Sequence, residues 1–191
     1  MKRVLLLVLC ATFAGTACGS SKKASPVTTV GPVLPAARSP QEWADRIVNI
    51  FLRPIDKDLN VVTNFNNPQI QLYIASGNPT TLQIINKRMN DLKRCTAKLT
   101  QIGPPPRHRV PLKRINDHLH KACVDYEKVA DTLQQATPFL ASGRTDVIQE
   151  GQKRVRSAKP ASGRAADNYA AAIRIAQGLP EFRRAGLKPS V

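Results

Sequence analysis

After residue 38, apolar residues recur along the chain at steps of three and four, a spacing that predicts amphipathic helices. The first helix begins where Ser39 suits the N-cap, Pro40 suits the first helical position, and Glu42 can close a capping box. Because Pro54 has no N–H to donate, we expect a kink near Ile50. The apolar face of this helix is Trp43, Ile47, Phe51, Ile55 and Leu59.

Two more helical stretches precede a run of three prolines at 104–106. A short piece is expected over 68–75, between sequences that favour turns. Asn78 and Pro79 then suit the start of a longer helix, which the pattern carries to about residue 102. The proline run ends that helix and forms a stiff connection to the next one.

The second half of the chain predicts two long helices separated by a turn at 142–144. The earlier one starts between residues 107 and 111 and keeps its apolar rhythm to Leu140. The later one begins at residue 145 or 146 and has few large side chains. We expect Pro160 and Gly163 to kink or break it.

No segment shows the alternation of apolar and polar residues that a half-buried strand needs, so the fold class is all-α. About four long helices with short connections predict an antiparallel bundle. The sequence assigns this bundle to residues 39–178 and a flexible basic tail to residues 179–191.

The first residues follow a different pattern, with Lys2 and Arg3 ahead of an apolar run at 4–14. That run is about half the ~20 residues that a membrane-spanning helix needs, and it is typical of a cleavable secretion signal. Small residues at 14–17 then lead to Cys18, which is followed by Gly and Ser. The signal peptide is therefore assigned to residues 1–17.

The stretch Ala14-Gly15-Thr16-Ala17-Cys18 resembles the lipobox of bacterial lipoproteins, although Gly15 stands where that motif usually has Leu. The resemblance implies that Cys18 carries a thioether-linked diacylglycerol, with cleavage after Ala17 and possible further acylation such as palmitate. The protein would then be held on the extracytoplasmic face of the cell membrane, with residues 18–38 as a Pro- and Ser-rich tether. Ordinary cleavage at the same bond would instead give a secreted protein without lipid.

The number of cysteines supports lipidation and predicts a disulfide. The sequence contains four, at positions 10, 18, 95 and 123, and Cys10 leaves with the signal peptide. If Cys18 is acylated, Cys95 and Cys123 remain in an oxidising compartment, where they can pair. A disulfide closing this loop would raise the free energy of unfolding by about 3 to 4 kcal/mol in the chain-entropy model. The alternative is two buried free thiols.

The chain is strongly basic, with 29 Lys and Arg against 13 Asp and Glu. Export argues against nucleic acid as the partner, and leaves anionic lipid headgroups, an envelope polymer or an envelope protein. The alternative is that these cations only solvate the outer faces of helices. The densest group, which we take as the candidate surface for an anionic partner, comprises Lys87, Arg88, Arg94, Lys98, Arg107, Arg109, Lys113 and Arg114.

The sequence shows no pattern of catalytic, metal-binding or cofactor-binding residues. It has no E-x-x-H pair, and His118 and His120 are two residues apart, so they point to different faces of a helix. We therefore expect neither an enzyme nor a metal or cofactor. The leading hypothesis is a non-catalytic helical binding module, and the alternative is a small-ligand carrier with a cavity between helices.

Overall fold

The computed structural model describes residues 31–65 and 67–188. Within these residues every regular element is a helix and there is no strand, so the all-α prediction is confirmed. The predicted signal peptide at 1–17, the predicted lipidation site at Cys18 and the first part of the predicted tether lie outside the described residues.

The first long helical stretch is continuous but not uniform. It consists of α1 (Pro40–Arg46), a π-helical segment (Ile47–Leu52) and α2 (Arg53–Asn64). The sequence predicts a kink near Ile50, and the π-helical segment lies there, with one residue between it and Pro54. Wider turns at this point accommodate the backbone where proline removes a hydrogen-bond donor.

The start of α1 has the predicted cap with one difference. The Ser39 hydroxyl accepts a hydrogen bond from the Glu42 N–H at 3.1 Å, as an N-cap should. The Glu42 carboxylate, however, accepts from the Arg38 N–H at 2.7 Å, one residue before the N-cap. The reciprocal half of the capping box is therefore made by the residue ahead of Ser39.

The expected short helix is α3 (Pro68–Ala75), and the long helix predicted over 79–102 is divided into α4 (Pro79–Leu92) and α5 (Cys95–Gln101). The first N–H groups of a helix need acceptors, and at α5 the Thr96 N–H donates to the Glu127 carboxylate at 2.7 Å. This long-range acceptor supports a second helix start where the sequence has neither Pro nor Gly.

The longest helix, α6 (Val110–Leu140), lies at the centre of the fold and contacts α4 and α5 before it and two helices after it, α7 (Thr145–Ser157) and α8 (Lys159–Gln177). The predicted break near Pro160 is present, because α7 ends before α8 begins. Small residues let these helices approach α6 closely. A Cβ atom on Gly151 would lie 3.0 Å from the Leu140 side chain.

The predicted disulfide is confirmed. Cys95 of α5 and Cys123 of α6 are joined by an S–S bond of 2.04 Å, and both side chains are buried. The bond fixes α5 against the middle of α6.

The predicted flexible tail is wrong for the residues that the structure describes beyond 178. Pro180–Arg184 form a further helix, α9, and the Phe182 side chain is fully buried. Its ring meets the Trp43 ring edge-on, with centroids 6.0 Å apart. Burial of this aromatic side chain gives α9 a fixed place on α1.

The predicted tether also ends earlier than the sequence suggests. The Leu34 N–H donates to the Gln101 carbonyl at 2.7 Å, and Ala37 is buried. The segment 34–38 therefore packs on the domain as an irregular strap, although its Pro and Ala content gives no apolar periodicity.

Candidate functional site

The strap, the turn after α5 and the start of α1 meet at one end of the domain, which we call the anchor end. The Trp43 indole N–H donates to the Gly103 carbonyl at 3.2 Å. The Arg46 guanidinium donates to the carbonyls of Pro35 at 2.6 Å and Ile102 at 3.1 Å. These contacts place the described beginning of the chain beside the turn that leads into α6.

Helix α9 joins the starts of α1 and α6 at the same end. The Glu181 carbonyl accepts from the Gln41 side chain at 3.1 Å, and the buried Glu181 carboxylate forms an ion pair with Arg109. The loop before α6 therefore lies beside α9 at the anchor end.

This arrangement gives the anchor end an exposed group of cations, which we call the basic end face. Three come from the start of α6 and the loop before it, and two come from α9. Within the described residues none of the five forms an ion pair. The basic end face consists of Arg107, Lys113, Arg114, Arg183 and Arg184.

An exposed apolar residue lies among these cations. Val110 begins α6 and is 67% exposed, and Lys113 and Arg114 follow it at helical steps of three and four. Side chains at these steps share one face of a helix. The basic end face therefore combines cations with an apolar side chain.

Two of the remaining predicted surface cations are in ion pairs. Arg88 pairs with Asp58 at 3.2 Å, and Lys98 lies 3.7 Å from Asp58 and 3.8 Å from Asp91. Lys87 lies on α4 and Arg94 in the turn after it, and neither forms an ion pair within the described residues. Of the eight residues predicted as one surface, Arg107, Arg109, Lys113 and Arg114 are brought together at the anchor end, and Arg109 is already paired.

The carboxylate that pairs with Arg88 and Lys98 belongs to Asp58, a buried residue. The Asp58 side chain is 3% exposed, and this burial raises its pKa even though Lys98 and Arg88 favour the charged form. The Asp58 carboxylate offsets one of the two positive charges beside it, and Asp91 lies next to Lys98 as well. Arg88 and Lys98 therefore offer less positive charge to a partner than the sequence implies.

Sequence reasoning missed Arg183 and Arg184 because it assigned them to a tail. The signal that could have placed them is Pro180 followed by Phe182, since proline suits the start of a helix and a lone aromatic residue in a polar segment needs a place to bury. The Arg109–Glu181 pair could not have been found in this way.

A second candidate site is an apolar groove of about 430 Å³ between α2, α3 and α4. Its walls include Val61, Ile70, Tyr73 and Ile84, and the last two are 48% and 53% exposed. Amide side chains, Asn60 among them, form its polar edge, and no charged residue lines it. The groove can therefore accept an uncharged apolar group together with hydrogen bonds at one side.

Hydrogen bonds join polar side chains of α6 to polar side chains of α8. Arg164 donates two hydrogen bonds to the Asp125 carboxylate, at 2.8 and 3.2 Å, and these bonds raise the arginine's pKa. The His118 ring shares a hydrogen bond with the Asn168 amide at 3.1 Å. Across the described residues, no group of three or more His, Cys, Asp or Glu side chains is placed to hold a metal ion.

Two tyrosines between α6 and α8 are held in their protonated form. Tyr169 donates to the Asp56 carboxylate at 2.7 Å, and burial, with that bond, raises its pKa. Burial, and then the charge of Asp56, raises the pKa of Tyr126 to about 12. The two rings meet edge-on, with centroids 6.4 Å apart.

Comparison with known proteins gives no family. The chain matches no protein-family model, and neither the curated proteins nor the solved structures include a match to it. In residues 31–65 and 67–188, no helix is both long and apolar enough to cross a bilayer.

Proposed function

We propose that this chain is a lipid-anchored extracytoplasmic protein, attached to the cell membrane through Cys18, whose helical domain is a non-catalytic binding module. The observation that carries the proposal is the pairing of Cys95 with Cys123. With those two joined, and Cys10 inside the predicted signal peptide, Cys18 is left as the one cysteine of the mature chain that can take a lipid.

Binding, rather than catalysis, fits the way the domain uses its charged side chains. Its buried carboxylates, Asp58, Asp125 and Glu181, each face at least one arginine or lysine side chain. Such pairs stabilise the contacts between helices. The arrangement of the long helices as an antiparallel bundle around α6 belongs to the same proposal, supported by the packing of α7 and α8 on that helix.

Metabolic labelling with palmitate tests the anchor. In a bacterial host we expect label on the wild-type protein, none on Cys18→Ala, and undiminished label on the control Cys10→Ala, whose cysteine lies within the signal peptide. Label that survives Cys18→Ala would reject the proposed anchor.

A second candidate function, a small-ligand carrier, is favoured by the apolar groove. Its volume of about 430 Å³ lies within the range of roughly 300 to 1,000 Å³ found for small-molecule sites. The groove lies between α2, α3 and α4 and not beside α8, the helix with few large side chains. In α8, Ala165, Ala172 and Ala176 are buried.

A further inference from the structure

We infer that the basic end face binds the anionic phospholipid surface to which the chain is tethered, so that the domain lies with its anchor end against the bilayer. This inference rests on the proposed lipid anchor at Cys18. It names the partner of one surface, which keeps three cations of the group that the sequence predicts and adds Arg183 and Arg184.

The position of the tether supports this orientation. The chain enters the domain through the strap at 34–38. The strap is hydrogen-bonded to the end of α5 and to Arg46 at the anchor end. By covalent geometry, residues 19–30 span at most about 40 Å. Helices α1 and α2, with the π-helical segment between them, comprise residues 40–64 and extend roughly 37 Å away from that end. The tether therefore holds the anchor end within about 40 Å of the membrane, and no covalent link holds the far end there.

The charge of the face is complementary to an anionic bilayer. All five side chains of the basic end face are exposed, and within the described part of the chain no carboxylate pairs with any of them. The nearby Glu181 carboxylate is buried under Arg109, so it does not offset their charge at the surface. Basic residues held beside anionic headgroups attract them within about a Debye length.

The exposed Val110 favours a lipid surface over a soluble polyanion. Its side chain, 67% exposed, lies on the same face of α6 as Lys113 and Arg114. A cationic helix face with an apolar side chain matches the interface between headgroups and acyl chains. A soluble polymer offers the negative charge but no apolar layer.

Vesicle sedimentation with a chain that cannot be lipidated, residues 18–191 with Cys18→Ala, tests the face separately from the anchor. The vesicles contain either phosphatidylglycerol mixed with phosphatidylcholine or phosphatidylcholine alone, at low salt. The end-face variant is Arg107→Gln, Lys113→Gln and Arg114→Gln together. The matched control is Lys153→Gln, Arg156→Gln and Lys159→Gln, which removes the same charge from exposed positions on α7 and α8.

We expect the unmutated chain to bind only the anionic vesicles, the end-face variant to partition about 100-fold more weakly, and the control to change by less than about threefold. Equal weakening in both triple variants would mean that total charge and not this face is responsible, and would overturn the inference. No binding to anionic vesicles would overturn it as well. Binding to soluble polyphosphate but not to vesicles would assign the face to an anionic polymer and reject the membrane.

These outcomes are independent of the palmitate labelling. If vesicle binding fails while Cys18 is labelled, the anchor stands and the face has another role. If the labelling fails while the vesicles bind, the face stands and the anchor does not.

Discussion

Arg109 at the start of α6 and Glu181 in α9 form an ion pair across 72 residues of chain, and the Glu181 side chain is almost completely buried. Breaking a buried pair by removing one partner leaves an uncompensated charge, so this contact holds α9 in place once it has formed. The pair brings the cations of α9 beside those that precede and begin α6.

The first prediction concerns the role of α9 in stability. Phe182→Ala removes a fully buried ring packed against Trp43, and we expect it to lower the free energy of unfolding by about 3 to 5 kcal/mol in urea denaturation. Arg183→Ala, on an exposed neighbour, is the control and should change stability by less than about 0.5 kcal/mol. A Phe182→Ala protein as stable as the wild type would show that α9 does not belong to the folded core.

The second prediction concerns the disulfide, which closes a loop with a sequence separation of 28 residues. In the chain-entropy model its loss destabilises the domain by about 3 to 4 kcal/mol. We expect the double variant Cys95→Ala/Cys123→Ala to show this loss in urea denaturation, with no further change on adding reductant. Wild type that is equally stable in oxidised and reduced form would contradict the prediction.

The third prediction is a dependence of stability on alkaline pH. Burial raises the pKa of Tyr126 from about 10 to about 12, so the folded state holds this proton more tightly than the unfolded state. The resulting stability is fully present below pH ~10 and is lost as the pH rises towards ~12. We expect urea denaturation between pH 8 and 11 to show a steeper loss for wild type than for Tyr126→Phe.

Tyrosinate absorbance gives the same test directly. In the folded protein, the difference between wild type and Tyr126→Phe should appear only as the pH approaches about 12. A full tyrosinate step near pH 10 in that difference would show that burial does not hold the proton.

The fourth prediction tests the small-ligand carrier. The uncharged fluorescent probe N-phenyl-1-naphthylamine should bind saturably, and Ile84→Gln in the groove wall should weaken its binding about five- to tenfold. The control is Leu72→Gln, which changes a residue that is 69% exposed on α3 and does not line the groove. Equal effects of the two variants, or no saturable binding, would reject the groove as the carrier's site.

The sequence predicts local structure well where caps and periodicity are strong, as at Ser39 and along α6. It predicts the disulfide because cysteine pairing is limited by the number of cysteines. It misses the division between α4 and α5, because the Glu127 carboxylate that caps α5 comes from a distant helix. Such acceptors leave no local pattern.

Long-range contacts also determine the basic surface, and the sequence does not show them. Because cations are dense in this part of the sequence, the pattern groups Arg88 and Lys98 with the start of α6. In the structure both form ion pairs with the buried Asp58 carboxylate. The cations that lie beside the start of α6 are those of α9. That helix folds back onto the domain because the Phe182 ring packs against Trp43. Long-range packing, and not spacing in the sequence, determines which charges share a face.

The mass of the amino-terminal peptide of the protein, purified from membranes, tests the proposed anchor most directly. We expect a peptide that begins at Cys18 and carries a diacylglycerol on its sulfur. A mature chain that begins at an unmodified Cys18, or that retains residues 1–17, would contradict it.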